Sequence, residues 1–390
     1  MDSKKILYFQ YTDPAIGYPP LEHSSAILAR KGWKVLFLGV TQSQGYFRLE
    51  GHPKIKMKRL FCPKRGWGQK LNYVGFNLWV IGWVIRFRPT FVYASDQLSC
   101  LVTLVLSYTP GLKVIYHEHD SPNFLEPRIT FFMKVVFWAR SMLAKRACLC
   151  IVPNERRMDN FIQETEARGK VVCVWNSPAK EEVSPPLLPW AEKELRILYH
   201  GSLVPPRLPL AVIEALALLP KSIKLIVIGY ETIGHPAYIR QIERRALERG
   251  IAERVEIVGA VSTRRKLFEW CRRCDVGLTL MPKESKDINM QFMTGASNKP
   301  FDYLACGLAL LVSDLPDWKT FFVEPGYGLT CDPEDPESIA EALHWFLEHP
   351  KEMRMMGEKG RQKILSDWNY EKQFEPVLNF LEKAVIDRPK

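Results

Sequence analysis

Residues 297–314, Ser-Asn-Lys-Pro-Phe-Asp-Tyr-Leu-Ala-Cys-Gly-Leu-Ala-Leu-Leu-Val-Ser-Asp, leave this chain few ways to fold. Pro300 suits the first turn of a helix, where its missing N–H costs nothing. Phe301, Leu304 and Ala305 stand at i, i+3 and i+4, the spacing of a buried helical face. Gly307 stops that helix. Leu308 to Ser313 then reads as a wholly apolar strand, which belongs in a parallel sheet covered on both faces. Asn298 and Lys299 make a polar, basic entry. A lysine and exposed N–H groups opening a helix above a parallel strand are suited to an anion. The reading is a seat for the diphosphate and ribose of a sugar nucleotide.

The same alternation runs through the chain. Lys5–Tyr11 is an apolar strand, followed by a loop with Gly17, a helix over 21–31 ended by Gly32, and a strand over Lys34–Val40. This β-loop-α-β unit opens a doubly wound parallel sheet, whose ligands bind at the carboxyl edge of the strands. Further strands are predicted at 91–94, 113–117, 149–152 and 171–175, and then at 195–199, 224–229, 255–259, 276–281 and 308–313. Residues 178–194 are rich in proline and charge, as a linker is. With 390 residues, two cores are expected rather than one. The predicted fold class is α/β, two Rossmann-like domains facing across a cleft. The boundaries are 1–177, a linker over 178–194, a second domain over 195–367, and a last helix over 368–390 that returns to the first domain.

Charge separates the halves. Residues 1–185 hold 26 Lys/Arg against 14 Asp/Glu, whereas 186–390 hold 28 against 29. Residues 51–150 alone carry 15 against 4. A basic first half calls for an anionic partner. Lys54–Arg88 mixes lysine and arginine with Trp67, Trp79 and Trp83, and 125–147 adds further aromatic and basic residues. Tryptophan beside Lys/Arg suits a membrane interface. The longest apolar run, Leu71–Ile85, would cover about 22 Å as a helix, short of the roughly 30 Å of a bilayer core. No helix-turn-helix, zinc finger or RNA-recognition signature is visible, so no nucleic-acid partner is expected. The start, Met1-Asp-Ser-Lys-Lys5, enters a strand without a signal-peptide core. It predicts a cytoplasmic chain with free thiols, peripheral on the inner face of a membrane. Cys271-Arg-Arg-Cys274 has no second pair and reads as two residues on one helical face rather than a zinc site.

Several stretches resemble the GT-B glycosyltransferases, specifically the retaining group 1 (family 4-like) enzymes of lipopolysaccharide, capsule and mannosyl transfer. The match is strongest over roughly 195–345. His200-Gly-Ser-Leu-Val-Pro-Pro-Arg207 resembles the family's glycine-basic loop. Val258-Gly259 falls where the nucleobase meets backbone, and Phe301–Asp314 resembles the donor-binding signature. Trp368-Asn369-Tyr370 resembles the break where the last helix crosses back. In the first half, Gly17 matches the first loop, and Val114–Asp120 resembles the strand ending in a histidine near the reacting sugar.

The resemblance implies a nucleotide-sugar donor, UDP- or GDP-linked, bound by Gly17, Gly201, Arg207, Val258, Asn298, Lys299 and Asp302. His119 would stand over the sugar, bonding it or shuttling a proton near neutral pH. Asp302 would accept hydrogen bonds from the ribose. Arg207 and Lys299 would meet the negative charge that grows on the departing diphosphate. Glu118 points away and is the weaker candidate. No metal and no other cofactor are expected, since basic residues take the cation's role in this group. Two family features differ here: Thr294 occupies the position of the first of two acids eight residues apart, and Ser202 replaces an arginine. The acceptor is expected to be a membrane-associated glycan or lipid-linked. Two other readings stay open, a GT-B-fold sugar-nucleotide epimerase and a non-catalytic nucleotide-binding module.

Overall fold

The computed structural model describes residues 4–11, 19–41, 52–61, 67–122, 129–187, 194–232 and 234–387. Gly17 lies outside them. The chain divides into two compact units. The first comprises residues 1–176, 286–296 and 370–390, and the second 177–285 and 297–369.

The first unit is built on seven parallel strands: β1 (Lys5–Phe9), β2 (Lys34–Thr41), β3 (Ile55–Phe61), β4 (Phe91–Ser95), β5 (Lys113–His117), β6 (Leu149–Val152) and β7 (Lys170–Cys173). Their order is β3-β2-β1-β4-β5-β6-β7, with the reversal between β1 and β4. Its helices are α1 (Pro19–Arg30), α2 (Trp67–Phe87), α3 (Cys100–Leu106), α4 (Phe131–Arg146) and α5 (Glu155–Thr165). Strands β1, β4, β5 and β6 are apolar along almost their whole length because helices cover both faces. On one face, Phe76, Val80 and Val84 of α2 pack with Ala139 and Leu143 of α4 over Leu7, Val92 and Tyr116.

The second unit has six parallel strands: β8 (Leu195–Leu203), β9 (Ile223–Glu231), β10 (Val255–Gly259), β11 (Val276–Thr279), β12 (Ala309–Ser313) and β13 (Gly328–Cys331). Their order is β10-β9-β8-β11-β12-β13. Helices α6 (Ala211–Leu218), α7 (Tyr238–Glu248) and α8 (Arg264–Cys271) precede a short helix α9 (Ile288–Gln291) that belongs to the first unit. Then follow α10 (Lys299–Ala305), α11 (Pro316–Trp318), α12 (Pro336–Glu348) and α13 (Pro350–Ser366). The last helix, α14 (Tyr370–Ile386), packs in the first unit, where Tyr370, Phe374 and Val377 join α1 against the second face of the sheet. Lys4 Nζ and the Trp33 indole both donate to Glu382 on it.

Each unit is an α/β domain built on a parallel sheet, as the sequence reading expects. Three details depart from the sequence reading. Strands β3 and β13 were not expected: β3 alternates lysine with apolar residues, and β13 starts at a glycine. The stretch read as a linker is partly built into the second unit. There Ser184 donates its backbone N–H to the Ala305 carbonyl, and Arg361 Nη1 donates to the Ser184 carbonyl. The third is that residues 286–296 leave the second unit and pack in the first. Buried Arg157 of α5 donates to the carbonyls of Asn289 and Phe292. Asn176 donates to the carbonyls of Gly295 and Ala296, and Asn154 to that of Thr294. This strap is held by hydrogen bonds from first-unit donors to its backbone carbonyls, which no hydropathy pattern reveals.

Candidate functional site

In the second unit, β8 is nine residues long and carries Tyr199, His200, Gly201 and Ser202 to the carboxyl edge of the sheet. Lys299 enters α10 beside them and is only 4% exposed. Gly201 has φ +113°, where a side chain is strained. A Cβ there would also stand 3.0 Å from Lys299 Cε and 3.2 Å from its Nζ. The glycine therefore makes room for the lysine to lie against the backbone. The ammonium sits 5.6 Å from the centre of the Tyr199 ring. Arg207 Nη1 donates to Ser202 Oγ at 3.0 Å. Burial, then the charge of Arg207, push the Lys299 pKa well below the usual lysine range, with Asp302 opposing. Among the described residues no carboxylate ion-pairs with Lys299. Helix α10 spans seven residues, so the charge of Lys299 rather than a helix dipole gives this edge its polarity.

Asp302 takes a different place from the one read in the sequence. Its carboxylate has no exposed surface. Arg264 Nη2 donates to Oδ1 at 2.8 Å, and Asn298 Nδ2 donates to Oδ2 at 2.9 Å. The other side of Arg264 meets Glu182 at 2.5 and 3.0 Å. A carboxylate enclosed this way cannot accept from a ribose hydroxyl without the network opening. Aspartate is short, and α8 presents a guanidinium within its reach. In this position Asp302 is an internal anchor that fixes the start of α10. Asn298 orients that anchor. His200 lies 3.6 Å from Asp302 Oδ2, and burial holds it neutral, helped by the charges of Lys299 and Arg264. Val258 is partly buried on the edge strand β10, followed by Gly259 at φ +79° with a register slip against β9. The structure thus brings Gly201, Arg207, Asn298, Lys299 and Asp302 into one neighbourhood, with Val258 on the sheet's edge strand.

In the first unit, the carboxyl ends of β1, β4 and β5 bring together Gln10, Asp96 and His119. The His119 ring nitrogen Nε2 lies 2.9 Å from Ser95 Oγ, and its backbone N–H donates to Asp96 Oδ1 at 3.3 Å. Gln10 Nε2 donates to Asp96 Oδ2 at 3.0 Å. Asp96 sits at φ +65°, a conformation costly for a residue with a side chain. Burial, then Asp120, raise its carboxyl to about 7. Burial lowers His119 to about 3. His117, ring to ring with it at 3.9 Å, is lowered as well. Burial thus favours the neutral ring of His119, the form that hydrogen-bonds without carrying charge. Glu118 turns inward to a buried pair with Arg140.

Sequence reading missed Asp96 and Arg264. Asp96 closes an apolar strand exactly as His119 follows one, so its position at a sheet edge was available. Arg264 opens an ordinary charged helix, and nothing local distinguishes it.

Residues 180–363 match the family model for glycosyl transferases group 1. A curated relative, D-inositol 3-phosphate glycosyltransferase of Xylanimonas cellulosilytica, is 26% identical over 147 residues. That stretch is 38% of this chain and 32% of the relative, about a third of its length. Among solved structures, HepE of Anabaena in complex with UDP and glucose superposes with TM-score 0.73 at 15% identity, covering 97% of this chain and 100% of that one. Sucrose-phosphate synthase of Thermosynechococcus elongatus gives 0.75 at 14% identity, covering 99% and 100%.

Proposed function

We propose that the chain, whose residues 180–363 match the glycosyl transferases group 1 model, is a GT-B glycosyltransferase that moves a sugar from a nucleoside diphosphate to a membrane-associated glycan or lipid-linked acceptor. The reading takes the donor as UDP- or GDP-linked and the transfer as retaining, in surface polysaccharide or glycolipid synthesis. The observation that carries it is Lys299, a buried side chain whose amine lies against Gly201 at the end of β8, with a second cation, Arg207, close enough to lower its pKa. Two like charges held close are costly unless an anion joins them. A diphosphate supplies that anion, and it needs most stabilisation as the glycosidic bond breaks. Ser202 lacks the charge that the resemblance leads one to expect there, and Lys299 brings a cation to the same glycine from the neighbouring helix. No metal enters this account, because the two side chains take the charge.

In the first unit, the neutral His119, read as standing over the transferred sugar, and the Asp96 carboxyl are suited to sugar hydroxyls. Support for a membrane-linked acceptor is the basic excess of residues 51–150. The test is nucleotide release from a panel of UDP- and GDP-sugars with and without acceptor extract. The expected result is release that depends on the extract and is lost in Lys299→Ala. Release independent of acceptor, or full turnover by Lys299→Ala, would overturn the reading.

A further inference from the structure

Helix α2 buries Tyr73, Phe76, Val80 and Val84 and leaves its other face bare. Leu71 is 74% exposed, Val74 56%, Leu78 64% and Ile85 69%. Gly75 and Gly82 are exposed between them, with open space where a side chain would stand. At 100° per residue, these six residues occupy an arc of about 100° along a helix roughly 30 Å long. No charged residue interrupts the stripe. Lys70 and Arg86 flank it on opposite sides, both exposed. Helix α4 covers the same face of the sheet and begins beside α2, where the Phe132 ring meets Tyr73 edge-on at 5.2 Å. It adds Phe131, 82% exposed, and Trp138, 58% exposed. Monomeric proteins rarely leave this much contiguous apolar surface to water.

Charge identifies the occupant. From residue 51 to 95 the sequence holds nine Lys/Arg and no Asp or Glu. Lys56 and Lys58 on β3 and Lys134 on α4 are exposed as well. A second copy of the chain would set one such excess against another, which opposes association in the absence of counter-charge. An anionic lipid surface complements both features, with acyl chains for the stripe and headgroups for its basic surround. No described helix is long and apolar enough to cross a membrane. We infer that α2 lies along the interface of an anionic bilayer with Leu71, Val74, Leu78 and Ile85 inserted, and that it is the docking element of the first unit. The inference gives the membrane-linked acceptor reading its place of contact and rests on it only for its purpose.

The test is co-sedimentation of the full chain with vesicles of phosphatidylglycerol or of phosphatidylcholine at near-physiological salt. Wild type is expected to be recovered with the anionic vesicles at least tenfold better than with the neutral ones. The double variant Leu78→Glu/Ile85→Glu is expected to lose that recovery by tenfold or more with an unchanged thermal midpoint, and Leu78→Trp to bind at least as well as wild type. The inference is overturned if the double variant sediments like wild type, or if neutral vesicles recover the protein equally. It is also overturned if wild type is a dimer in sedimentation velocity that the double variant dissolves. Lys299→Ala separates this from the donor reading: it is expected to bind vesicles normally. Vesicle binding without any nucleotide release would sink the proposed function and leave α2 as the docking element.

Discussion

The carboxyl edges of the two sheets differ in electrostatic character. In the second unit the edge is cationic: Lys299 lies against Gly201 and Arg207 bonds the neighbouring Ser202. In the first unit the groups gathered at the corresponding edge carry little charge of their own: His117 and His119 are held neutral by burial and Asp96 is held partly protonated by burial and by Asp120. Both are Rossmann-like sheets, so the difference does not come from the backbone plan. It comes from what a few edge residues are allowed to keep charged. One edge is suited to receive phosphate, the other to hydrogen-bond hydroxyls without drawing the phosphate to itself.

The largest effect separates support from chemistry within the cationic edge. Asp302→Ala leaves Arg264 buried without one of its two carboxylates and is expected to cost about 3–5 kcal/mol of stability. Denaturant unfolding followed by tryptophan fluorescence measures it, and a loss below 1 kcal/mol would show that Asp302 is not an anchor.

Next is Lys299→Met, which keeps the volume and removes the charge. It is expected to lower kcat/KM by about 10²–10³, the usual cost of removing a donor from developing negative charge. Unfolding should change little. Steady-state kinetics on the best donor checks it, and a change confined to thermal stability would return Lys299 to a structural role.

Arg207→Ala is expected to cost less, about 10–100-fold in kcat/KM, as one charged hydrogen-bonding partner of the diphosphate is lost. The same kinetic assay reads it, and wild-type kinetics would leave Lys299 as the sole cation of the edge.

Protonation sharpens the contrast further. Lys299 has a depressed pKa in the free protein, and a bound diphosphate raises it again. Binding should therefore take up a proton, and affinity for UDP or GDP should weaken by up to about tenfold per pH unit above the free-protein pKa of Lys299. Calorimetry in buffers of different ionisation enthalpy detects the uptake, and zero uptake across the alkaline range would contradict it.

The neutral edge gives the smallest and opposite signals. Asp96, raised to about 7, contributes stability below about pH 4 that is lost as pH rises to about 7. His119, lowered to about 3, contributes stability above about pH 6.5 that is lost as pH falls toward 3. Asp96→Asn should leave only the second trend, so stability rises with pH from about 3 to 6.5. Thermal midpoints across that range test it, and an unchanged pH profile would remove Asp96 as a titrating group.

The alternation of apolar strands and helices determined the α/β class and the two units, because strands covered on both faces must be apolar along their length. That Lys299 enters a helix was legible as well, since Pro300 and the apolar spacing after it are local features, whereas β8 runs past the expected end at Tyr199 and takes Gly201 into the strand. Strands β3 and β13 were not, because lysines on an edge strand and a glycine start blur the period. Tertiary structure alone decided the rest. Asp302 faces inward because Arg264, 38 residues earlier, happens to reach it. Residues 286–296 leave their unit because Asn154, Arg157 and Asn176 offer donors to their carbonyls. The sequence states which groups are present, but burial sets their charge and three-dimensional neighbours set their partners.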